Sequence, residues 1–235
     1  MKAVLFDLDD TLYDQVIPFR EAYEELFGNR FDIDIEKLFM ARHRRSDEVY
    51  HLSVRGEITM EEMYIYRGGK PFEDLGFHIS DEEALKFQYV YAERQKHLRI
   101  SEEMKAILVE LLRRNVPIGI ISNGPTEHQR RKIQSMGLMK WIPEECIFVS
   151  GDDGISKPEK HIFERARKKI GLSPEEMIMV GDSLPNDIIG AKNAGWKTVW
   201  MKRRLWDMAE LATDDADFTV KTEEELKICL LNILT

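Results

Sequence analysis

Cysteine is scarce in this chain: Cys146 and Cys229 are the only two in 235 residues, and both sit in apolar settings far apart. A disulfide framework is thereby excluded, and a structural metal site would need more ligands. Both cysteines read as buried free thiols of a reducing compartment. Long apolar runs are lacking too; none approaches the ~20 residues that cross a bilayer. The first apolar run begins almost at Met1, which leaves no room for a signal peptide, so a cytoplasmic protein is expected. Positive charge is in deficit, with 34 Lys and Arg against 43 Asp and Glu, a formal net charge of −9. That balance argues against nucleic acid and membrane as partners, and an anionic ligand must be drawn in by local cations or a metal. Proline is rare at 8 residues, and no repeat or low-complexity tract interrupts the chain. What remains, 43% hydrophobic and 33% charged, suits a folded chain that buries a core of normal size.

The opening dozen residues organise the rest. Residues 3–6 (Ala-Val-Leu-Phe) are apolar and β-prone, enough for one buried strand. Asp7, Asp9, Asp10 and Thr11 follow at its carboxyl end, the place where open α/β sheets bind ligands. Asp7 and Asp9 are close enough to repel, and a cation between them removes the conflict. Oxygen ligands alone point to Mg²⁺. The D-x-D-x-T pattern by itself arises by chance in roughly one chain of this length in twenty, so partner residues at other strand ends must decide its meaning.

Helical spacing governs residues 17–28, 34–53, 59–66 and 81–98, with no β-rich run among them. Phe19, Tyr23, Leu26 and Phe27 form one apolar face, and Ala84, Phe87, Val90 and Tyr91 another. Ser80 with Glu83 makes a capping box, while Gly56, Gly68, Gly69 and Gly76 punctuate the region. Residues 15–98 are therefore expected to form a helical insert, arranged as a bundle. From about residue 99 strands and helices alternate. Strands are expected at 116–121, 146–149, 177–180, 198–201 and 218–220; helices at 101–114, 126–136, 161–170, 187–193 and 205–212, with a last one from Glu223. The fold class expected is α/β, a doubly wound parallel sheet built from residues 1–14 and 99–235.

Three further strand ends carry polar residues. Ser122, Asn123 and Gly124 follow the 116–121 run and precede a helix, where they either cap that helix or help hold an anion. Lys157, before Pro158 at a helix start, is either a solvated lysine or a fixed cation for a phosphate. Asp182 ends the 177–180 run, and Asp187 stands near the next helix start, where a dipole-favoured acid is the plain alternative.

Together, in this order, D-x-D-x-T, S-N-G, a loop lysine before proline and G-D-x-x-x-x-D resemble the haloacid dehalogenase (HAD) superfamily, phosphatase branch, with a helical C1-type cap inserted after the first motif. The resemblance implies a Rossmann-like core. It also implies a Mg²⁺-dependent hydrolase of small phosphomonoesters, with Asp7 as nucleophile and Asp9 as the acid and then base that carries a proton near neutral pH. Under it Ser122, Asn123 and Lys157 bind phosphoryl oxygens, Thr11 braces the loop, and Asp7, Asp9, Asp182 and Asp187 serve the metal. A sugar-phosphate phosphatase or phosphomutase is the alternative; the presence of Asp9, Asp182 and Asp187 speaks against a 2-haloacid dehalogenase and against a non-catalytic binding module. The 56–59 segment and the S-N-G strand are similar to pyrimidine 5′-nucleotidases and N-acylneuraminate-9-phosphatases, which places nucleoside monophosphates first among substrates and sugar phosphates second. A monomer or homodimer is expected. Arg42, His43, Arg44 and Arg45 form a basic cluster, either a solvated face or an attractor for an anionic substrate; Tyr13, Arg20, Arg67 and Lys70 are further candidates for that task.

Overall fold

The computed structural model describes residues 1–204 and 215–235, and the chain divides into two compact units. One comprises Met1–Asp14 with Arg99–Thr235, the other Gln15–Leu98. The helix expected at 205–212 lies outside the described residues.

The first unit is built on six parallel strands: β1 (Ala3–Phe6), β2 (Ile118–Ser122), β3 (Ile147–Val149), β4 (Met177–Gly181), β5 (Lys197–Met201) and β6 (Phe218–Val220). Their order is β3-β2-β1-β4-β5-β6. β1 lies at the centre, paired through Phe6 with Ile120 on one side and Val180 on the other. The chain winds outward from β1 in one direction, then resumes at β4 on the opposite side. That reversal makes the carboxyl ends of β1 and β4 the switch point where such sheets bind ligands. Every residue of β1, β2 and β4 is buried, which explains their continuous apolar reading.

Helices cover the sheet because their apolar residues recur on one face. In α5 (Glu102–Arg113) Met104, Ile107, Leu108 and Leu111 are the buried stripe. Phe163 of α7 (Lys160–Ile170) meets the Trp196 ring edge-on at 5.4 Å, within a cluster that includes Leu5, Ile121 and Met179. The remaining helices of this unit are α6 (Thr126–Ser135), α8 (Gly190–Asn193), which continues from a wide helical turn over Leu184–Ile189, and α9 (Glu223–Ile233). β2 starts at Ile118, later than expected, because Pro117 has no N–H and enters the ladder only through its carbonyl, which accepts from Val4. Cys146 falls in a short turn before β3, and both free cysteines are half-buried, less enclosed than expected.

The second unit packs α1 (Val16–Leu26), α2 (Ile35–Val54), α3 (Met60–Asp74) and α4 (Asp81–Arg94) around a cluster of rings. Phe19 lies 5.0 Å from Phe87 and 5.2 Å from Phe39, and Phe27 lies 5.3 Å from Phe72. Asp34, Thr59 and Ser80 cap α2, α3 and α4, the last two in full capping boxes. α3 does not stop near residue 66 but runs through Gly68, Gly69 and Pro71 to Asp74. The cause is close packing: a Cβ on Gly68 would sit 3.0 Å from the Ala84 carbonyl oxygen and 3.1 Å from its Cβ. This glycine permits a helix–helix approach and marks no break.

Candidate active site

The site begins where β1 ends. The Asp7 amide still donates to Val180 O at 2.8 Å, so Asp7 is held at the switch point, only 6% exposed. Asp10 adopts a left-handed conformation, φ +56°, and turns the chain sharply after Asp9. Aspartate tolerates this geometry better than most residues.

Lys157 ties the nucleophile candidate to the other strand end. Its ammonium donates to Asp7 Oδ1 at 2.5 Å, Asp187 Oδ1 at 2.6 Å and the Ile121 carbonyl at 2.9 Å. An ammonium has three protons, and all three are engaged. Burial would lower the lysine, but Asp187 and Asp7 outweigh it and hold Lys157 charged, above its ordinary range. Asn123 fixes the backbone of this lysine from both sides, its amide donating to Lys157 O and accepting from Lys157 N, each at 2.9 Å. In this arrangement Asn123 braces the lysine loop, and the Lys157 ammonium orients two carboxylates. Both were expected to bind phosphoryl oxygens.

Asp187 is 1% exposed, and its second oxygen accepts from the Ser183 amide at 3.0 Å. It folds back against β4 because residue 181 is glycine: a Cβ there would lie 2.3 Å from the Asp187 carboxyl carbon. Asp182 stays half-buried, its carbonyl accepting from the Trp200 indole at 2.8 Å. Asp7, Asp182 and Asp187 each present a carboxylate oxygen within 4.8 Å of the others. Hard, clustered oxygen donors of this kind fit Mg²⁺. Charge repulsion among them is also written into Asp7: burial first, then Asp187 and Asp9, push its carboxyl up to about 7 against the pull of Lys157.

Asp9 has a different environment. Lys132 Nζ reaches both its oxygens, at 2.7 and 2.9 Å, Gln129 Nε2 donates to Oδ2 at 2.9 Å, and the Tyr13 hydroxyl donates to Oδ1. Burial alone would raise the Asp9 carboxyl, yet Lys132 and these hydrogen bonds outweigh it and hold the group below its ordinary value. The expected division, with Asp7 ionised and Asp9 carrying the proton, is thus reversed among the protein's own charges. The reason is Lys132, which the sequence reading did not place in the site.

Gln129 also donates to Ser122 Oγ at 2.6 Å and Asn123 O at 3.0 Å, joining the ends of β1 and β2. Gly124, φ +140°, leaves room for it, since a Cβ there would approach the Gln129 side chain to 3.2 Å. A signal for both residues existed. Gln129 and Lys132 share the buried face of α6 with Ile133, where an apolar pair would be ordinary. Thr11 does not brace its loop through the hydroxyl, which is buried without a hydrogen-bond partner among the described residues. The bracing comes instead from Arg203, donating to the Asp10 and Thr11 carbonyls, and Arg204, paired with Asp10 and Asp14.

Residues 1–195 match the haloacid dehalogenase-like hydrolase family. A glyceraldehyde 3-phosphate phosphatase of Pyrococcus furiosus is 30% identical over 214 residues, covering 86% of this chain and 81% of the relative. An N-acylneuraminate-9-phosphatase of Rattus norvegicus is 28% identical over 225 residues, covering 86% and 83%. The crystal structure of a HAD phosphatase from Thermococcus onnurineus superposes with a TM-score of 0.61 at 27% identity, covering 98% of each chain. The chain belongs to the haloacid dehalogenase-like hydrolases, as an enzyme of their phosphatase branch.

Proposed function

We propose that the chain is a Mg²⁺-dependent phosphatase that hydrolyses small phosphomonoesters through an aspartyl-phosphate on Asp7. The observation that carries this reading is the buried knot at the switch point. Lys157 bridges Asp7 and Asp187, and Asp182 completes three carboxylates within 4.8 Å. Asp7, Asp182 and Asp187 would hold Mg²⁺, with the Asp9 carbonyl as a further oxygen donor. When bound, the ion supplies positive charge that screens an anionic phosphoryl group from an anionic nucleophile.

Asp7 attacks phosphorus, the P–O ester bond breaks, and the leaving oxygen takes the proton of Asp9 in its less populated protonated form, which Lys132 disfavours. Water then cleaves the acyl phosphate while the Asp9 carboxylate takes the proton that the water gives up. Lys132, Gln129 and Tyr13 hold that carboxylate in place and ionised, the form the second step requires. Ser122 Oγ accepts from Gln129, which leaves its own hydrogen to donate to a phosphoryl oxygen. Lys157 aims the Asp7 carboxylate, and Asn123 fixes Lys157. Such prior positioning suits a reaction whose uncatalysed rate is among the slowest known. The helical unit is the part of the chain expected to select the leaving group. Glyceraldehyde 3-phosphate and N-acylneuraminate 9-phosphate, the compounds named for the two relatives, support small non-nucleotide phosphates ahead of nucleoside monophosphates, the reverse of the order read from the sequence.

The test is turnover of 4-nitrophenyl phosphate by purified Asp7→Asn protein with an unchanged circular dichroism spectrum. No turnover is expected, and EDTA should silence the parent enzyme until Mg²⁺ is returned. Turnover by the Asp7→Asn protein, or activity indifferent to EDTA, would refute the reading.

A further inference from the structure

The basic residues of the helical unit differ in their partners. Arg45 is claimed by Asp74, at 2.6 and 2.8 Å, and by Glu48 at 3.0 Å. His43 faces Asp47 at 3.4 Å, Arg20 faces Glu36 at 3.7 Å, and Lys70 faces Glu73 at 2.7 Å. Arg44 is exposed. Arg42 and Arg67 are different: among the described residues neither makes an ion pair with a carboxylate. Arg42 donates to Gln88 Oε1 at 2.9 Å and lies 4.8 Å from the Tyr91 ring centre. Arg67 lies 4.8 Å from the Tyr64 ring centre, and among the described residues its only hydrogen bond is a long one of 3.5 Å to Ser46 Oγ. Its Nε is buried with no hydrogen-bond partner.

Ser46 stands one helical turn from Arg42 on α2, so the bond to it brings Arg67 to the same face. Desolvation lowers Arg67 to about 9, with the Arg42 charge adding to the effect, and desolvation lowers Arg42 too. Two half-buried like charges without a counter-charge among the described residues are costly unless something anionic answers them. Each guanidinium offers five N–H donors in a planar fork, and most of those donors are unused here. That fork is matched to an oxygen pair on a single acidic group. Aromatic faces behind the cations fix their planes.

We propose that Arg42 and Arg67 form an oxyanion-binding site within the helical unit, one that takes the carboxylate or phosphate group of a small molecule. The oxyanion belongs either to a second acidic group of the substrate or to a free metabolite that binds as an effector. Detecting the site does not depend on the phosphatase reading, because binding is read directly.

The experiment titrates malonate and sulfate into the parent protein, Arg67→Met and Arg42→Gln by isothermal calorimetry, in the presence of EDTA. The proposal expects binding to the parent and at least a tenfold loss in either variant, with Arg67→Lys losing less. In parallel, KM and kcat are measured for 3-phosphoglycerate and for glycerol 1-phosphate, which lacks the carboxylate. A tenfold rise in KM confined to 3-phosphoglycerate assigns the oxyanion to the substrate. Equal KM values for both esters, with malonate binding lost, assign it to a free effector. Unchanged anion binding in the variants, or none to the parent, overturns the site whatever the esterase data give. Arg67→Lys keeps the charge and remains informative if Arg67→Met fails to fold.

Discussion

The Asp7 carboxyl is the least comfortable charge in the α/β unit, and neutralising it should stabilise the metal-free protein. Its folded value is about 7 against an ordinary 3.8. A group raised in this way binds its proton more tightly folded than unfolded. Its contribution is complete below pH 3.8 and is lost as pH climbs through 7. At ~1.4 kcal/mol per pH unit, the interval between the two values corresponds to about 4 kcal/mol at pH 8 and about 2 kcal/mol at pH 5. Asp7→Asn keeps the shape of the neutral acid and removes the titration, and Lys157 retains Asp187 and the Ile121 carbonyl. Thermal unfolding in EDTA is the assay, followed by tryptophan fluorescence, since Trp141, Trp196, Trp200 and Trp206 all lie outside residues 15–98. At roughly 2–4 °C per kcal/mol for a chain of this size, Asp7→Asn should melt about 10 °C above the parent at pH 8. The gap should halve by pH 5. Saturating Mg²⁺ should narrow it at pH 8, because the ion answers a charge that only the parent carries. A gap that ignores pH, or a variant less stable than the parent at pH 8, would refute the placement of Asp7 among unneutralised carboxylates.

Two further outcomes test the parts around it. Lys132→Met should slow hydrolysis of 4-nitrophenyl phosphate by ~100-fold, the lower end of the range for proton transfer, because the water step loses an ionised Asp9. Alkyl phosphates, whose leaving oxygen gains from a more readily protonated Asp9, should lose less; a loss confined to alkyl phosphates would mean that Lys132 does not act by keeping Asp9 ionised. Gly181→Ala forces a Cβ to within 2.4 Å of the Asp187 side chain. Overpacking of this kind costs ~1–3 kcal/mol, so both melting temperature and Mg²⁺ affinity should fall, and an alanine variant with parental metal affinity would show that Asp187 does not help hold the ion.

The sequence made the strand ends legible because each is an abrupt change, an apolar run closing on a single acid, hydroxyl or lysine. Asp7, Ser122 and Asp182 could be read that way, and parallel pairing through Phe6, Ile120 and Val180 brings them to one edge of the sheet. Lys132 and Gln129 could not be read so easily. They lie on a helix more than a hundred residues from Asp9, and only their presence on an apolar face hinted at a buried role. Glycine misled in the opposite sense. Gly68 and Gly69 have the look of a break, yet what fixes α3 there is the nearness of Ala84, a tertiary fact with no local signature. Proton placement is hidden for a related reason: two aspartates in one motif look alike until the cations that reach them from elsewhere are known.

Those cations also explain where a divalent ion belongs. Asp9 and Lys132 form a pair whose formal charges cancel, closed further by Gln129 and Tyr13. On the other side, Asp7 and Asp187 share the Lys157 ammonium, so the formal sum of these three groups, all ionised, is −2 + 1 = −1 before Asp182 is counted. A buried excess of negative charge is relieved by protonation or by a divalent cation. Protonation falls on Asp7, the proposed nucleophile, which would have to be anionic to attack phosphorus, so relief by that route would remove it. Mg²⁺ relieves the same excess and leaves Asp7 ionised. On the proposed reading the need for metal would follow from the charge at the switch point before any phosphate arrives, and metal affinity in the unliganded protein should fall as pH drops below about 7. Calorimetric titration of Mg²⁺ between pH 6 and pH 8 measures this directly, and an affinity independent of pH across that range would break the link between the two.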